Sequence, residues 1–229
     1  MSTEKEFLKE AKATAVKIIY MDLDGVAANW DKAAMALFGY EGREQTYWDE
    51  LVDLISQKYN VNKKKATGIM WSRINAQGAD WWENIEFYEM GLELYEACWA
   101  VAPVVFVTSP STAPSSAAGK MAWVSQMAPA FTELRYKKRY FFDQYMVKAV
   151  RRCLAITPAK AMLAGPSKLL VDDRGINCKR FEAAGGHSIL WPQPWNVAGR
   201  GYLQGSGLRE LQAEAIAHAV TWAQENSHK

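Results

Sequence analysis

The sequence predicts an open α/β fold of doubly wound type: a parallel sheet with helices on both faces and a small helical cap inserted after the first strand. Three observations carry this. Short apolar runs rich in β-branched residues recur along the chain, segments with helical spacing separate them, and acidic or hydroxyl residues directly follow three of the runs. Near-continuous apolarity, rather than alternation, suits strands covered on both faces. Alternation of strand and helix suits a parallel sheet.

The first run, Val16 to Met21, ends in Asp22. Residues 25–107 separate it from the second ending, which is too long a stretch for one crossover helix. Within it, DKAAMALF, YWDELVDLISQKY and KKKATGIMWSRI read as helices and no strand is evident. This is the expected cap. Its aromatic residues (Trp30, Phe38, Tyr47, Trp48, Trp71, Trp81, Trp82, Phe87) form its own small core or roof the strand ends. The pair Trp81-Trp82 stands apart, because adjacent indoles do not easily both face one core. The helix Leu92 to Trp99 leads into the second run, Val101 to Val107, which ends in Thr108-Ser109. Ser109 to Gly119 (SPSTAPSSAAG) reads as a flexible loop. The third run, Lys168 to Val171, ends in Asp172-Asp173. The helix Asn177 to Ala184 follows and stops at Gly185-Gly186, a fitting helix end. The last run is His187 to Trp191, and Gly207 to Glu225 reads as a helix packed on the body. The expected division is a core of residues 14–28 and 97–229, with the cap at 29–96.

Composition bounds the function classes. The chain has 229 residues, 49% hydrophobic and 23% charged, enough for one substantial core. A net charge of +2 gives no global case for a nucleic-acid partner. Lys63-Lys64-Lys65 and Arg135 to Arg139 read as solvated faces, so stable nucleic-acid binding is not expected. Cys98, Cys153 and Cys178 have no paired spacing, which points to a reducing compartment. Met1 to Lys12 is charged and unlike a signal peptide, and no run approaches the roughly 20 apolar residues that cross a bilayer. The expectation is a cytoplasmic protein without membrane contact. No GxxxxGK[ST] loop is present, and His187, His218 and His228 lack metal-ligand spacing. Ten Trp and ten Tyr suggest aromatic surface beyond the core.

In open α/β sheets ligands bind at the carboxyl ends of the strands. Asp22 and Asp24, Thr108 and Ser109, and Asp172 and Asp173 can therefore converge although they are distant in sequence. Clustered carboxylates beside a tight turn at Gly25 make a hard oxygen site suited to magnesium. Asp-Gly alone is a common turn; the second acidic pair and the Thr-Ser behind other strands are what raise it to a site.

With these residues in view, the chain resembles the haloacid dehalogenase superfamily. Asp22-Leu23-Asp24-Gly25-Val26, Thr108-Ser109 and Val171-Asp172-Asp173-Arg174 are similar to its motifs I, II and IV. A narrower likeness, to the 5′(3′)-deoxyribonucleotidases, rests on Thr108-Ser109-Pro110, Lys120 within KMAWV, LLVDDR and the stretch Phe181 to Asn196. The resemblance implies a HAD-like, Rossmann-like fold and a magnesium-dependent phosphomonoesterase. Asp22 would attack phosphorus to form an aspartyl-phosphate. Asp24 would protonate the leaving oxygen and then deprotonate water. Asp22, the backbone carbonyl of Asp24 and Asp172 would hold Mg2+, with Asp173 acting nearby or through water. Thr108 would bond a phosphoryl oxygen, while Ser109, Lys120 and Arg174 would reach the phosphate or sugar. Trp81 and Trp82 would contact the base.

Motif III requires a lysine to neutralise the phosphoryl oxygens. Lys160, in Thr157-Pro158-Ala159-Lys160, is chosen over Lys168, which lies at a strand start, and Lys148. The chain departs from the family's pattern in its longer Lys-to-Asp spacing and in Pro158, where a basic residue is expected. The partner implied is a small nucleotide, a deoxyribonucleoside monophosphate. Another small phosphate ester, a nucleic-acid 3′-phosphate end and a non-catalytic binding module on the same fold remain alternatives. A homodimer is left open.

Overall fold

A computed structural model describes residues 17–40, 48–136, 154–199 and 206–225; within these, the side chains of residue 48, 126–136 and 206 are outside the description. The N-terminal segment, Tyr47, Lys148, Cys153, His228 and most of the Arg135 to Arg139 cluster lie outside the described residues.

Among the described residues, five strands form one parallel sheet in the order β3-β2-β1-β4-β5. They are β1 (Ile18–Asp22), β2 (Val104–Thr108), β3 (Leu154–Ile156), β4 (Lys168–Asp172) and β5 (His187–Leu190). The central strand β1 pairs with β2 through Ile19↔Val104 to Asp22↔Val107 and with β4 through Ile18↔Lys168 to Met21↔Val171. Both neighbours are thus in a register that ends them level with Asp22. Residues of both faces are buried: Ile19, Met21, Phe106 and Val171 on one side, Tyr20, Val107, Leu170 and Phe181 on the other. That two-sided burial is why the runs are apolar without alternation. The doubly wound α/β architecture is as the sequence predicts.

Between β1 and β2 lie α1 (Trp30–Leu37), α2 (Trp48–Tyr59), α3 (Lys63–Asn75), α4 (Gly78–Glu83) and α5 (Glu89–Trp99). Asn29 starts α1 and Asn62 starts α3, each side chain accepting a bond from a first-turn amide, Lys32 and Lys65 respectively. The chain leaves the sheet layer at Ala28-Asn29 and returns at Glu86 to Tyr88. There Asn29 donates to Glu86 O, Tyr88 donates to Ala27 O, and Ala28 bridges Phe87. The segment 89–96, expected at the end of the cap, is instead most of α5. That helix packs against the C-terminal helix α8 (Ser206–Glu225) and feeds β2, the place of a crossover helix.

Two further readings are corrected. The strand expected from Val101 begins at Val104, after Pro103, whose ring nitrogen has no hydrogen to donate to a ladder. The flexible loop expected to run to Gly119 ends at Ala113. Pro114 opens the long helix α6 (Pro114–Tyr136), the helix position where a missing N–H costs nothing. Ahead of it, Ser111 Oγ accepts from Ala113 N and Ser116 Oγ accepts from Ser111 N. Helix α7 (Gly175–Ala183) follows β4 and ends at Gly185, whose φ of +89° favours glycine.

The helices between β1 and β2 meet α6 through α4. Gly119 permits this, since a Cβ there would meet the Ala79 carbonyl oxygen and lie 2.5 Å from Trp82 Cβ. Four residues on, Trp123 donates from its indole to Ile85 O at 2.7 Å. Among the described residues, no helix is long and apolar enough to cross a membrane.

Candidate active site

Asp22 ends β1, Thr108 ends β2 and Asp172 ends β4, so three neighbouring strands deliver three buried polar side chains to one edge of the sheet. After Asp22 the chain turns sharply: the Leu23 amide donates to Asp22 Oδ1 at 2.8 Å, and Leu23 O accepts from Val26, Ala27 and Ala28. Gly25 makes the turn, with φ +80°; a Cβ there would also come within 2.6 Å of Asp173 Oδ2. Only glycine meets both demands.

Lys160 lies in a short 3₁₀ turn (Lys160–Leu163) before β4. Its ammonium is buried and stands 2.7 Å from Asp22 Oδ2 and 2.7 Å from Asp172 Oδ2. Burial pulls its pKa down, but Asp22 and Asp172 more than offset this and hold it raised. Asp172 has further donors: the Arg174 amide at 2.9 Å and Asn177 Nδ2 at 3.0 Å from each oxygen. Asp173 differs. Its Oδ2 accepts from the Trp195 indole at 2.9 Å, but its Oδ1 is buried with no partner.

The charges do not balance. Asp22, Asp172 and Asp173 offer oxygens within 4.8 Å of one another, and among the described residues Lys160 is the ammonium that meets them, so full ionisation leaves two negative charges. Burial, first of all, pushes Asp22 and Asp173 well above the carboxylate range, with the other carboxylates adding to the rise. An oxygen-only donor set, a deficit of two charges and an orphaned buried oxygen fit a hard divalent cation. The carboxylates brought together for it are Asp22, Asp172 and Asp173. Of the three, Asp172 accepts the most bonds, from Lys160, Asn177 and the Arg174 amide, while Asp173 keeps an oxygen with no partner.

On the other side of the site, Lys120 reaches in from α6. It is buried, with Nζ 2.5 Å from Asp24 Oδ2, 2.8 Å from Thr108 Oγ1 and 3.0 Å from Ser109 O. It also stands 4.8 Å from the Trp82 ring centroid, in cation–π range. Asp24 is the more open carboxylate, its side chain 32% exposed.

Asp22, Asp24, Asp173, Lys120 and Lys160 line a cavity of about 400 Å³ together with Gly25, Trp30, Asp31, Trp71, Trp82, Ser109 to Ser111, Arg174 and Asn177. Of the residues assigned to the site from the sequence, three do not line this cavity: Thr108 and Asp172, which bond to its lining residues Lys120 and Lys160, and Trp81. Trp81 instead packs on the core, edge-on to Trp82 at 4.8 Å. Three contributors were not assigned a place in the site from sequence: Asn177, Trp195 and Asp31. Asn177 had a signal in lying one helical turn past the acidic pair. Trp195 sits in the stretch that carried the narrower resemblance. The free thiols Cys98 and Cys178 are buried and pushed up to about 12 by that burial, so neither is a nucleophile.

No protein-family profile matches the chain, and no curated protein does so by sequence. Among solved structures, it is similar to a HAD family hydrolase from Deinococcus radiodurans R1, crystallised with bound phosphate and sodium. The identity is 17%, over 89% of this chain and 96% of that chain, with a TM-score of 0.42. At that similarity the likeness decides nothing about the chemistry of this chain.

Proposed function

We propose that this protein is a magnesium-dependent phosphomonoesterase of haloacid dehalogenase type, cleaving deoxyribonucleoside monophosphates to nucleoside and phosphate. The observation that carries the reading is Lys160, bridging Asp22 and Asp172 at 2.7 Å each beside the partnerless oxygen of Asp173. A cation-binding carboxylate cluster, a buried ammonium and a hydroxyl at the mouths of adjacent strands are what a phosphoryl group needs.

In this reading Asp22 Oδ attacks phosphorus while the ester P–O bond breaks, and Asp24 gives its proton to the leaving oxygen. Water then attacks the aspartyl-phosphate, Asp24 takes the water's proton, and phosphate leaves with Asp22 restored. Asp22, the Asp24 carbonyl and Asp172 would hold the magnesium, with Asp173 acting nearby or through water; when bound it neutralises the meeting of carboxylate and phosphate. Lys160 orients the nucleophile and screens the phosphoryl oxygens. Lys120 holds Asp24 and Thr108 in place, and a phosphate arriving beside it competes for the ammonium and loosens its grip on Asp24. Ser109 and Arg174, both exposed at the rim, steer the anion. The cavity is of a size that suits a nucleotide, and its Trp30, Trp71 and Trp82 offer indole surface to a base.

The test is a phosphate-release screen across nucleoside monophosphates and other phosphate esters, with magnesium and with chelator. Release from deoxyribonucleoside monophosphates that depends on magnesium supports the reading. Release from no nucleotide, with turnover of other esters, removes the substrate and keeps the chemistry.

A further inference from the structure

One carboxyl in the cavity has no part in the chemistry above. Asp31 lies in the first turn of α1, is only 4% exposed, and lines the same cavity as Asp22 and Asp24. The helix N-terminus tolerates it there, but a solvated carboxylate would serve that end equally well. Its side-chain partner among the described residues is the Tyr88 hydroxyl, which donates to Oδ2 at 3.3 Å, a long bond for burial of this depth. Its neighbour Trp30 packs at 5.8 Å against Trp71, and both indoles line the cavity with it. Burying a carboxyl is costly unless something bonds to it, and the open side of Asp31 is the substrate space.

We propose, on the reading that the substrate is a nucleoside monophosphate, that Asp31 selects the base: its carboxyl accepts a hydrogen bond from an exocyclic amino group of a flat heterocycle lying against the cavity's indoles. Protonated or ionised, a carboxyl always keeps an acceptor oxygen. An amino group meets it as donor to acceptor, whereas an oxo group meets the ionised form as acceptor to acceptor and leaves both unpaired. Burial pushes Asp31 up to about 7, so at mildly alkaline pH the ionised form prevails and the discrimination is sharpest. The indoles supply area without choosing between bases, since every base has a stacking face. Asp31 supplies the choice.

Two substrate pairs differ in this feature: dGMP has a 2-amino group that dIMP lacks, and dCMP carries an amino group where dUMP carries an oxo group. At about pH 8, kcat/KM for the amino member of each pair is expected to exceed its partner by about tenfold or more. The difference should lie in KM, because the contact is remote from phosphorus. Asp31→Asn keeps the shape and can face either an amino or an oxo group, so it narrows the dCMP-to-dUMP ratio to within about threefold; its amide oxygen still accepts from an amino group, so the dGMP-to-dIMP ratio is read in the wild type alone. Equal kcat/KM within each wild-type pair, or a dCMP preference over dUMP that survives Asp31→Asn, overturns the assignment; the wild-type ratios need no variant to fold. A protein that cleaves none of the four nucleotides overturns the nucleotidase reading and the inference with it, and is told apart by the absence of any product.

Discussion

At the scale of single residues, the site is governed by how few cations face its carboxylates. Among the described residues, Lys160 is the one ammonium within reach of both Asp22 and Asp172, and its removal leaves two buried carboxylates against each other. Lys160→Met is expected to destabilise the metal-free protein by about 3–5 kcal/mol, read by urea denaturation, and to abolish phosphate release. A variant as stable as the parent would mean the pair is solvated and the charge argument wrong. Asp172 and Asp173 show how adjacent, identical residues divide roles by their surroundings. The first is saturated with donors, and the second keeps a bare oxygen. Sequence could not separate them, because the separation depends on Asn177 and Trp195 folding back from other segments.

At the scale of elements, the sheet edge does the assembling. Parallel register brings the ends of β1, β2 and β4 level, which turns three separate polar endings into one site. This was legible because each strand is a buried apolar run closed by a polar residue. Strand β3 was not: Leu154–Ile156 is too short for a period or run to register. The start of α6 was misread because Ser, Pro and Ala crowd it, and Pro reads as a breaker unless the first helical turn is recognised. The roof depends on the close approach of α4 and α6 at Gly119, a contact that sequence spacing alone does not reveal. Gly119→Val would wedge the helices apart and move Trp82 off Lys120. The expected cost is about 1–3 kcal/mol, with KM for the preferred nucleotide raised more than kcat is lowered. An unchanged KM in a folded variant would show that the roof does not touch the substrate.

At the scale of the molecule, the site's charge is coupled to stability. Asp31 sits at about 7 in the folded state, above the roughly 3.9 of a free Asp side chain. The fold therefore holds this proton more tightly than the unfolded chain does. Stability from this group is intact below about pH 4, declines as pH rises through about 7, and stays at the lower level beyond. Asp22 and Asp173 shift in the same direction. The metal-free protein is thus expected to lose several degrees of melting temperature between about pH 5 and pH 8. Magnesium is expected to raise the melting temperature, and to do so more at the higher pH, where its ligands are ionised. A melting temperature that climbs with pH in chelator would contradict this. The cavity's walls come from both the sheet edge and the helices between β1 and β2. The polar residues at the strand ends were therefore readable from the sequence, while the helical walls of the cavity, Lys120 and Trp82 apart, were not.

The central claim is that Asp22 itself becomes phosphorylated. Turnover of a deoxyribonucleoside monophosphate, quenched in acid and reduced with borohydride, converts an aspartyl-phosphate to homoserine, which peptide mass spectrometry locates. The account predicts homoserine at position 22 in the wild-type protein, and neither homoserine nor released phosphate with Asp22→Asn. Turnover that leaves position 22 unmodified, modification at another carboxylate, or phosphate release by Asp22→Asn at the wild-type rate would contradict it.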